Sequence, residues 1–202
     1  VETLASLRSM PNLRVLRPAD AVEAAECWVI ASEHLAGPTA LILSRQVLPL
    51  VRGDDAAVRR SARGAYVLCE ASGGSRRVTL LATGSEVALA LAAREQLQAR
   101  GVPTAVVSMP GWDLFEQQDL AYQCEVLGPG TVRVGVEAAG RFGWDRWLGE
   151  RGAFVGMPGF GASGSPEALY AHFGITAEAV VAAALDRLAP ESAGSTTKPG
   201  DT

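Results

Sequence analysis

The clearest pattern of hydrophobic and polar positions lies between residues 78 and 109, where two apolar runs flank a helical periodicity. The runs at 78–82 and 105–107 predict buried strands. Ser85 is expected to cap the helix between them, and Gly101 to end it. The predicted buried face consists of Val87, Ala90, Leu91 and Leu97, and the predicted outward face of Glu86, Gln96, Gln98 and Arg100. The pattern is typical of a β-α-β unit, whose strands are parallel and joined by a right-handed crossover.

Further strands and helices are predicted on the C-terminal side of this unit and just before it. The apolar runs at residues 64–70, 131–136 and 153–155 predict strands, and Asp119, Ser165 and Thr176 stand where helix N-caps belong. The last helix carries a regular apolar stripe of Ala177, Val180, Val181, Ala184, Leu185 and Leu188. Because helices cover both faces of a parallel sheet, we expect an α/β fold with three layers and a mostly parallel sheet.

The first 50 residues show the same alternation on a smaller scale. Residues 13–16 and 39–43 predict strands, and Asp20 with Glu23 three positions later predicts a capping box. The helix that follows is expected to turn a set of apolar residues towards a core: Val22, Ala25, Trp28 and Val29.

A change of composition separates two predicted structural units. Residues 51–63 are charged and have no apolar stripe, so they are interpreted as a linker between a unit at 1–50 and a unit at 64–189. Residues 190–202 contain almost no apolar side chains and are predicted to be a disordered tail. The chain begins with Val1, in what looks like the middle of an element, so we expect it to be a fragment of a longer protein.

Composition narrows the class of protein. The chain has 202 residues, a net charge of -4 and 48% hydrophobic residues, which is typical of a soluble globular protein and gives no reason to expect nucleic acid as a partner. No uninterrupted apolar run approaches the roughly 20 residues of a membrane span, and no secretory signal is recognisable. Cys27, Cys69 and Cys124 are interpreted as reduced core thiols of a cytoplasmic protein.

Arg45 is the sharpest single candidate for a functional residue. It follows the apolar run at 39–43 within Ser44-Arg45-Gln46. Ligands of open α/β sheets bind at the carboxyl ends of strands, so an arginine at this place is positioned to bind an anionic ligand. The alternative is an arginine that pairs with a carboxylate at a domain edge, and the pattern alone does not separate the two.

The other candidates have ordinary structural explanations. Glu137 ends a valine-rich strand, where a structural hydrogen-bonding role is preferred over a catalytic one. The turn Thr83-Gly84-Ser85 opens a helix and offers N–H groups to an anion, but an ordinary capped turn is preferred. His34 and His172 lie far apart near predicted helix ends, so a zinc site is not expected. The glycine-rich stretches lack the Gly-Lys-Ser/Thr of a nucleotide-binding P-loop.

Five segments together resemble the transketolase family and follow its order over nearly the whole chain except the tail: PNLRVLRPADAVEA, GPTALILSRQVLPL, LLATGSEVALALAA, VVSMP and YAHFGITAEAVV. The resemblance implies that residues 1–50 end a pyrimidine-binding domain and that residues 64–189 form the family's C-terminal domain. It also implies a cytoplasmic homodimer that moves a two-carbon ketol unit between sugar phosphates, in the pentose phosphate pathway or a Calvin-type cycle. The cofactors implied for the full-length enzyme are thiamine diphosphate and Mg or Ca.

The resemblance leaves one family site residue in this chain. Arg45 matches the arginine of Ser-Arg-Gln that contacts the substrate phosphate, although Val47 stands where the family commonly has Asn. The activating glutamate, the metal ligands, the catalytic histidines and an Asp-Gly-Pro-Thr-His stretch belong to the part of the family that precedes Val1. The chain alone is therefore expected to bind no cofactor and to have no catalytic residue, and it would need the missing N-terminal part as its partner.

Two other interpretations stay open at this point. The chain is either a non-catalytic structural or regulatory α/β module, or the corresponding part of a related thiamine-diphosphate enzyme. The related enzymes are 1-deoxyxylulose-phosphate synthase and the dehydrogenase β-subunits. The contexts of Ser44-Arg45-Gln46 and of the segment around Thr83 favour transketolase.

Overall fold

A computed structural model describes residues 2–53 and 59–189 of the chain. The predicted disorder of 190–202 and the middle of the predicted linker, residues 54–58, lie outside the described residues. The described N-terminal part contains helices α1 (Thr3–Arg8) and α2 (Ala21–Glu33) and strands β1 (Arg14–Leu16) and β2 (Thr39–Leu41). The two strands pair in parallel, with Arg14 opposite Thr39. Strand β2 ends two residues earlier than predicted, and Leu43 is 56% exposed.

The second part is built around a five-stranded sheet in the order β3-β5-β4-β6-β7. Its strands are β3 (Tyr66–Cys69), β4 (Val78–Ala82), β5 (Thr104–Ser108), β6 (Val132–Glu137) and β7 (Ala153–Gly156). Only β3 runs antiparallel to its neighbour among these strands. The mostly parallel sheet and the central β-α-β unit predicted from the sequence are confirmed.

Helices occupy both faces of this sheet. They are α3 (Glu86–Ala99), α4 (Trp112–Glu116), α5 (Leu120–Leu127), α6 (Asp145–Leu148), α7 (Pro166–Phe173) and α8 (Ala177–Leu188), and a 3-10 helix at Arg60–Arg63 precedes β3. Helices α3 and α8 bury Val87, Leu97 and Val180 on the face that carries Leu80. The neighbouring Leu81 points to the opposite face, as successive strand residues do. It packs there with an aromatic cluster of Trp112, Phe115, Trp144 and Trp147.

The predicted helix caps are mostly present. Asp20, Asp119, Ser165 and Thr176 each accept a hydrogen bond from a backbone N–H in the first turn of the helix that follows. Gly101, at φ +71°, follows the C-cap Arg100, as predicted. Ser85 is the exception, because its hydroxyl makes no capping bond and instead donates to the Glu86 carboxylate at 2.7 Å.

The predicted buried face of α2 is wrong. Trp28 is 61% exposed and Val29 38% exposed, and Ala25 is also exposed. The helix instead buries Glu23, Glu26, Cys27 and Ile30. The reason is that both carboxylates find donors beyond the first 50 residues: Glu23 accepts from Tyr66 and Ser108, and Glu26 accepts from Ser61.

Two further expectations need correction. Cys27 is buried as predicted, but Cys69 is only half-buried and Cys124 is exposed on α5. The stretch Pro166–Leu188 is long enough, and has a high enough mean hydropathy, to span a membrane. The search of the sequence for unbroken apolar runs did not identify this stretch. It consists of two helices, however, with Gly174 at φ +66° between them, and α8 packs Val180, Val181 and Ala184 into the core.

Candidate functional site

Arg45 lies in a bend beyond the carboxyl end of β2, and its side chain is exposed. In the part of the chain that the structure describes, its guanidinium makes no hydrogen bond and no ion pair. No carboxylate of the described residues therefore pairs with Arg45. Arg45 instead lines a cleft of about 750 Å³, in which it is the single charged group among the described lining residues.

The cleft walls come from the carboxyl ends of the C-terminal sheet. Ala138 follows β6 and Met157 follows β7, and both line the cleft. The glycine-rich loop after Met157 contributes Gly161, Ala162 and Gly164, and helix α7 and the residues beside it contribute Pro166, Leu169, Tyr170, Phe173 and Ile175. The described lining residues are thus mostly apolar with Arg45 as their one cation, which suits a ligand that has an anionic end.

Tyr170 connects this cleft to a buried ion pair. Its hydroxyl donates to the Glu86 carboxylate and lies 3.2 Å from the Ser85 hydroxyl. Glu86 also accepts from Arg17 at 2.5 Å and from the backbone N–H of Ala138 at 3.0 Å. The sequence-based expectation that Glu86 points outward is wrong, because Arg17, 69 positions away in the chain, supplies the countercharge that makes its burial possible.

Electrostatics keep these groups in fixed charge states. Burial alone would raise the pKa of Glu86, but the charge of Arg17 and the hydrogen bonds from Arg17, Tyr170 and Ser85 outweigh it, and the pKa is lowered. Burial, and then the neighbouring Glu86 carboxylate, raise the pKa of Tyr170, so its phenol stays protonated and donating. The ionised Glu86 carboxylate and its hydrogen-bond donors therefore hold Tyr170 in the wall of the cleft.

Glu137 lies behind the cleft and does not line it. Its carboxylate is fully buried at the end of β6 and accepts from both terminal nitrogens of Arg8, at 2.8 and 2.7 Å. The indole N–H of Trp144 donates to it at 2.8 Å. The structural hydrogen-bonding role predicted for Glu137 is confirmed.

The turn Thr83-Gly84-Ser85 is packed against Arg17. Gly84 has φ +59°, and a Cβ on it would lie 2.7 Å from Arg17 Cζ. Arg17 donates to the carbonyl of Thr83 at 2.5 Å, and the Gly84 N–H donates to the Arg17 carbonyl at 3.1 Å. The structural explanation of this turn holds, because the protein itself occupies the place that an anion would need.

The histidines are not brought together. His34 Nδ1 lies 3.2 Å from the hydroxyl of Thr39, and the His172 ring packs edge-on against Phe173. No group of three or more His, Cys, Asp or Glu side chains arranged for a metal ion occurs within residues 2–53 and 59–189. The described residues therefore do not fit a metal-held diphosphate, which requires several oxygen ligands around one cation.

Sequence reasoning did not identify Tyr170 or the glycine-rich loop as neighbours of Arg45. A usable signal was present, because Ala138 and Met157 directly follow two parallel strands and so belong to the same sheet edge. Whether that edge lies near Arg45 depends on how the two parts of the chain pack against each other. Local sequence patterns contain no information on this packing.

Comparisons with known proteins agree with this architecture. The family model described as the transketolase-like TK C-terminal domain matches residues 64–176, and the model of the transketolase pyrimidine binding domain matches residues 1–51. A transketolase of Sinorhizobium medicae is 59% identical over 189 residues, which cover 93% of this chain and 27% of that protein. The chain thus spans about a quarter of the length of this relative.

Two solved structures are informative neighbours. The transketolase of Pichia stipitis in complex with sedoheptulose-7-phosphate superposes with a TM-score of 0.84 at 34% identity, covering 93% of this chain and 27% of that one. A split-gene transketolase described as an inactive beta4 tetramer superposes with a TM-score of 0.79 at 29% identity, covering 93% of this chain and 62% of that one.

Proposed function

This chain belongs to the transketolase family, and we propose that it works as the C-terminal portion of a transketolase. The whole enzyme would transfer a two-carbon ketol unit between sugar phosphates with thiamine diphosphate and a divalent cation, Mg or Ca. In this proposal residues 1–50 complete a pyrimidine-binding domain, residues 51–63 link it to the next one, and residues 64–189 form the C-terminal domain.

The contribution that we assign to this chain is the binding of the substrate phosphate by Arg45. The observation that carries it is the exposed guanidinium that lines a mostly apolar cleft and has no hydrogen-bond or ion-pair partner among the described residues. A planar guanidinium binds phosphate through two parallel hydrogen bonds, and an arginine already paired with a carboxylate would not be available for this. The sugar-phosphate complex of the Pichia stipitis relative supports this class of ligand.

The cofactor and the catalytic groups are assigned to the remainder of the enzyme. The described residues of this chain offer no ligand set for a divalent cation, and its two histidines lie outside the cleft. The isolated chain is therefore proposed to be inactive. The split-gene transketolase described as an inactive beta4 tetramer is consistent with this proposal.

The partners proposed are the missing N-terminal part and a second copy of the enzyme, in the cytoplasm. The exposed apolar side chains of α2 and of the segment after it, Trp28, Val29, Leu43 and Val47, support a partner on the N-terminal unit. Exposed apolar side chains that form a contiguous patch often mark a surface that contacts another protein.

A chimera tests the proposal as a whole. The C-terminal 27% of the Sinorhizobium medicae transketolase, the share matched here, is replaced by this chain, and ketol transfer between sugar phosphates is measured. We expect activity comparable to the parent enzyme, because the two sequences are 59% identical over this region. A soluble, cofactor-loaded chimera without transferase activity would contradict the proposal. The parent enzyme lacking its C-terminal part is the negative control.

A further inference from the structure

A second cavity, of about 920 Å³, lies at the opposite edge of the five-stranded sheet. Arg76 and Arg77 precede β4, Arg151 precedes β7, and Arg187 lies at the end of α8; all four line the cavity. Because β4, β6 and β7 are parallel neighbours, the residues that precede them meet at the amino edge of the sheet. The six residues of β6 separate this edge from the Arg45 cleft by about 20 Å.

The cavity is positively charged in a chain that is negative as a whole. Four arginines line it against two carboxylates, Glu150 and Asp186, whereas the full chain has a net charge of -4. Arg76 is engaged with Glu70 and with the carbonyl of Val126. Arg187 lies 3.9 Å from Asp186, which is the outer limit of an ion pair.

Two of the guanidinium groups have no partner within the described residues. Arg77 and Arg151 make no side-chain hydrogen bond and no ion pair there, although Glu150 lines the same cavity. Both side chains are exposed, so an anion that enters the cavity can reach them without breaking an internal interaction.

We propose that this cavity is a binding site for a small molecule that carries two or more phosphate groups. Several guanidiniums around one cavity match several phosphate oxygens, each by charge-assisted hydrogen bonds. The volume lies within the range of pockets that hold nucleotide-sized ligands. The cavity is concave and confined to one sheet edge of an acidic chain, which does not suit an extended nucleic acid backbone. Ligand binding here is independent of the role proposed for Arg45.

Calorimetric titration of the full chain with inorganic pyrophosphate tests the site, with orthophosphate as the comparison. Arg77→Ala and Arg151→Ala remove the two unpaired guanidiniums. Arg100→Ala is the matched control, since Arg100 is exposed, lies on the same domain and does not line the cavity. Arg45→Ala is the second control, because Arg45 is the one cation among the described residues that line the other cleft. Thermal unfolding followed by circular dichroism verifies that each variant is folded.

We expect one pyrophosphate per chain, with binding weakened about tenfold by each cavity variant and unchanged in both controls. Pyrophosphate should bind more tightly than orthophosphate, and raising the salt to about 0.3 M should weaken both. The absence of binding would overturn the proposal, and so would an equal loss in Arg100→Ala. A loss in Arg45→Ala with the cavity variants unaffected would place the diphosphate in the Arg45 cleft instead, and would also overturn it.

Discussion

Arg8 and Glu137 are 129 positions apart in the sequence and form a bidentate ion pair, with N–O distances of 2.8 and 2.7 Å. Arg8 belongs to α1 in the N-terminal part, and Glu137 ends β6 in the C-terminal sheet. The Arg8 guanidinium also lies 3.8 Å from the centre of the Trp112 ring. The pair is thus a direct link between the two parts of the chain.

Removal of Arg8 is predicted to destabilise the protein strongly. Arg8→Ala removes the closest cation of the fully buried Glu137 carboxylate and leaves Arg17 at 3.6 Å from it, so the loss should approach but not exceed the about 3–5 kcal/mol of a buried pair broken outright. Arg141→Ala is the control, because Arg141 and Asp145 form an ion pair that is exposed on both sides and is worth about 0.5 kcal/mol. Urea unfolding measures the free energy of both variants. Similar losses in the two variants would contradict the role assigned to the buried pair.

Glu86 is predicted to make stability depend on acid pH. Its pKa is lowered in the folded state by Arg17 and by its hydrogen bonds, which together outweigh burial. A lowered pKa contributes stability above the unfolded value of about 4.5, and this contribution is lost as the pH falls through the folded value. The stability difference between the wild type and Glu86→Gln should therefore be largest near neutral pH and shrink below about pH 4.5. A difference that stays constant or grows on acidification would refute this, and unfolding free energies across that range decide it.

Much of the fold could be predicted from the sequence because short-range sequence signals determine many of its strands and helix ends. The apolar run Val78–Ala82 coincides with β4, and Asp20, Asp119, Ser165 and Thr176 cap helices as expected. These features depend on interactions within a few residues of each other. Periodicity and cap residues report such interactions directly.

The errors concern charged residues whose partners are distant in the sequence. Glu23 is fully buried because Tyr66 and Ser108, 43 and 85 positions away, donate hydrogen bonds to it. Hydrophobic patterning places charged residues at the surface and apolar residues in the core, because it contains no information on distant partners. It therefore predicted that Trp28 is buried. The candidate site was predicted in part. Arg45 was identified because it follows a predicted strand, whereas Tyr170 lines the cleft as a result of tertiary packing that the sequence pattern does not show.

Limited proteolysis is predicted to cut first within residues 51–63, where the linker was assigned. Trypsin should act after Arg59 or Arg63, which are exposed, and should not act after Arg52, whose side chain is fully buried. Domain boundaries lie in exposed segments that proteases reach without unfolding. Mass spectrometry of the first fragments identifies the sites. Initial cleavage inside residues 78–109 would contradict the division into two units.

The isolated chain is predicted not to bind thiamine diphosphate tightly in the presence of magnesium. The described residues provide no cluster of oxygen ligands for the cation that would hold the diphosphate. Calorimetric titration measures the affinity, and it is run on the double variant Arg77→Ala/Arg151→Ala so that diphosphate binding at the amino-edge cavity is strongly weakened. Binding tighter than about 1 μM in that variant would mean that the chain contains a cofactor site.

Arg45→Ala in the full-length enzyme is predicted to weaken phosphorylated ketose donors strongly. One charge-assisted contact between a guanidinium and a phosphate contributes on the order of 1.5–3 kcal/mol. At about 1.4 kcal/mol per factor of ten, its loss should lower kcat/KM roughly 10- to 150-fold. The phosphate is remote from the reacting carbonyl, so most of the loss should appear in KM rather than in kcat.

A donor without a phosphate separates this role from a structural one. Hydroxypyruvate cannot use the Arg45 contact, so Arg45→Ala should leave its kcat/KM nearly unchanged. Arg45 is exposed and makes no hydrogen bond or ion pair with the described residues, so its replacement removes no internal interaction of that kind. Arg45→Lys should recover part of the affinity for phosphorylated donors, because lysine restores the charge but not the fork of two donors. Equal losses for both donors would show that Arg45 acts on folding or assembly, and would reject its assignment to the substrate phosphate.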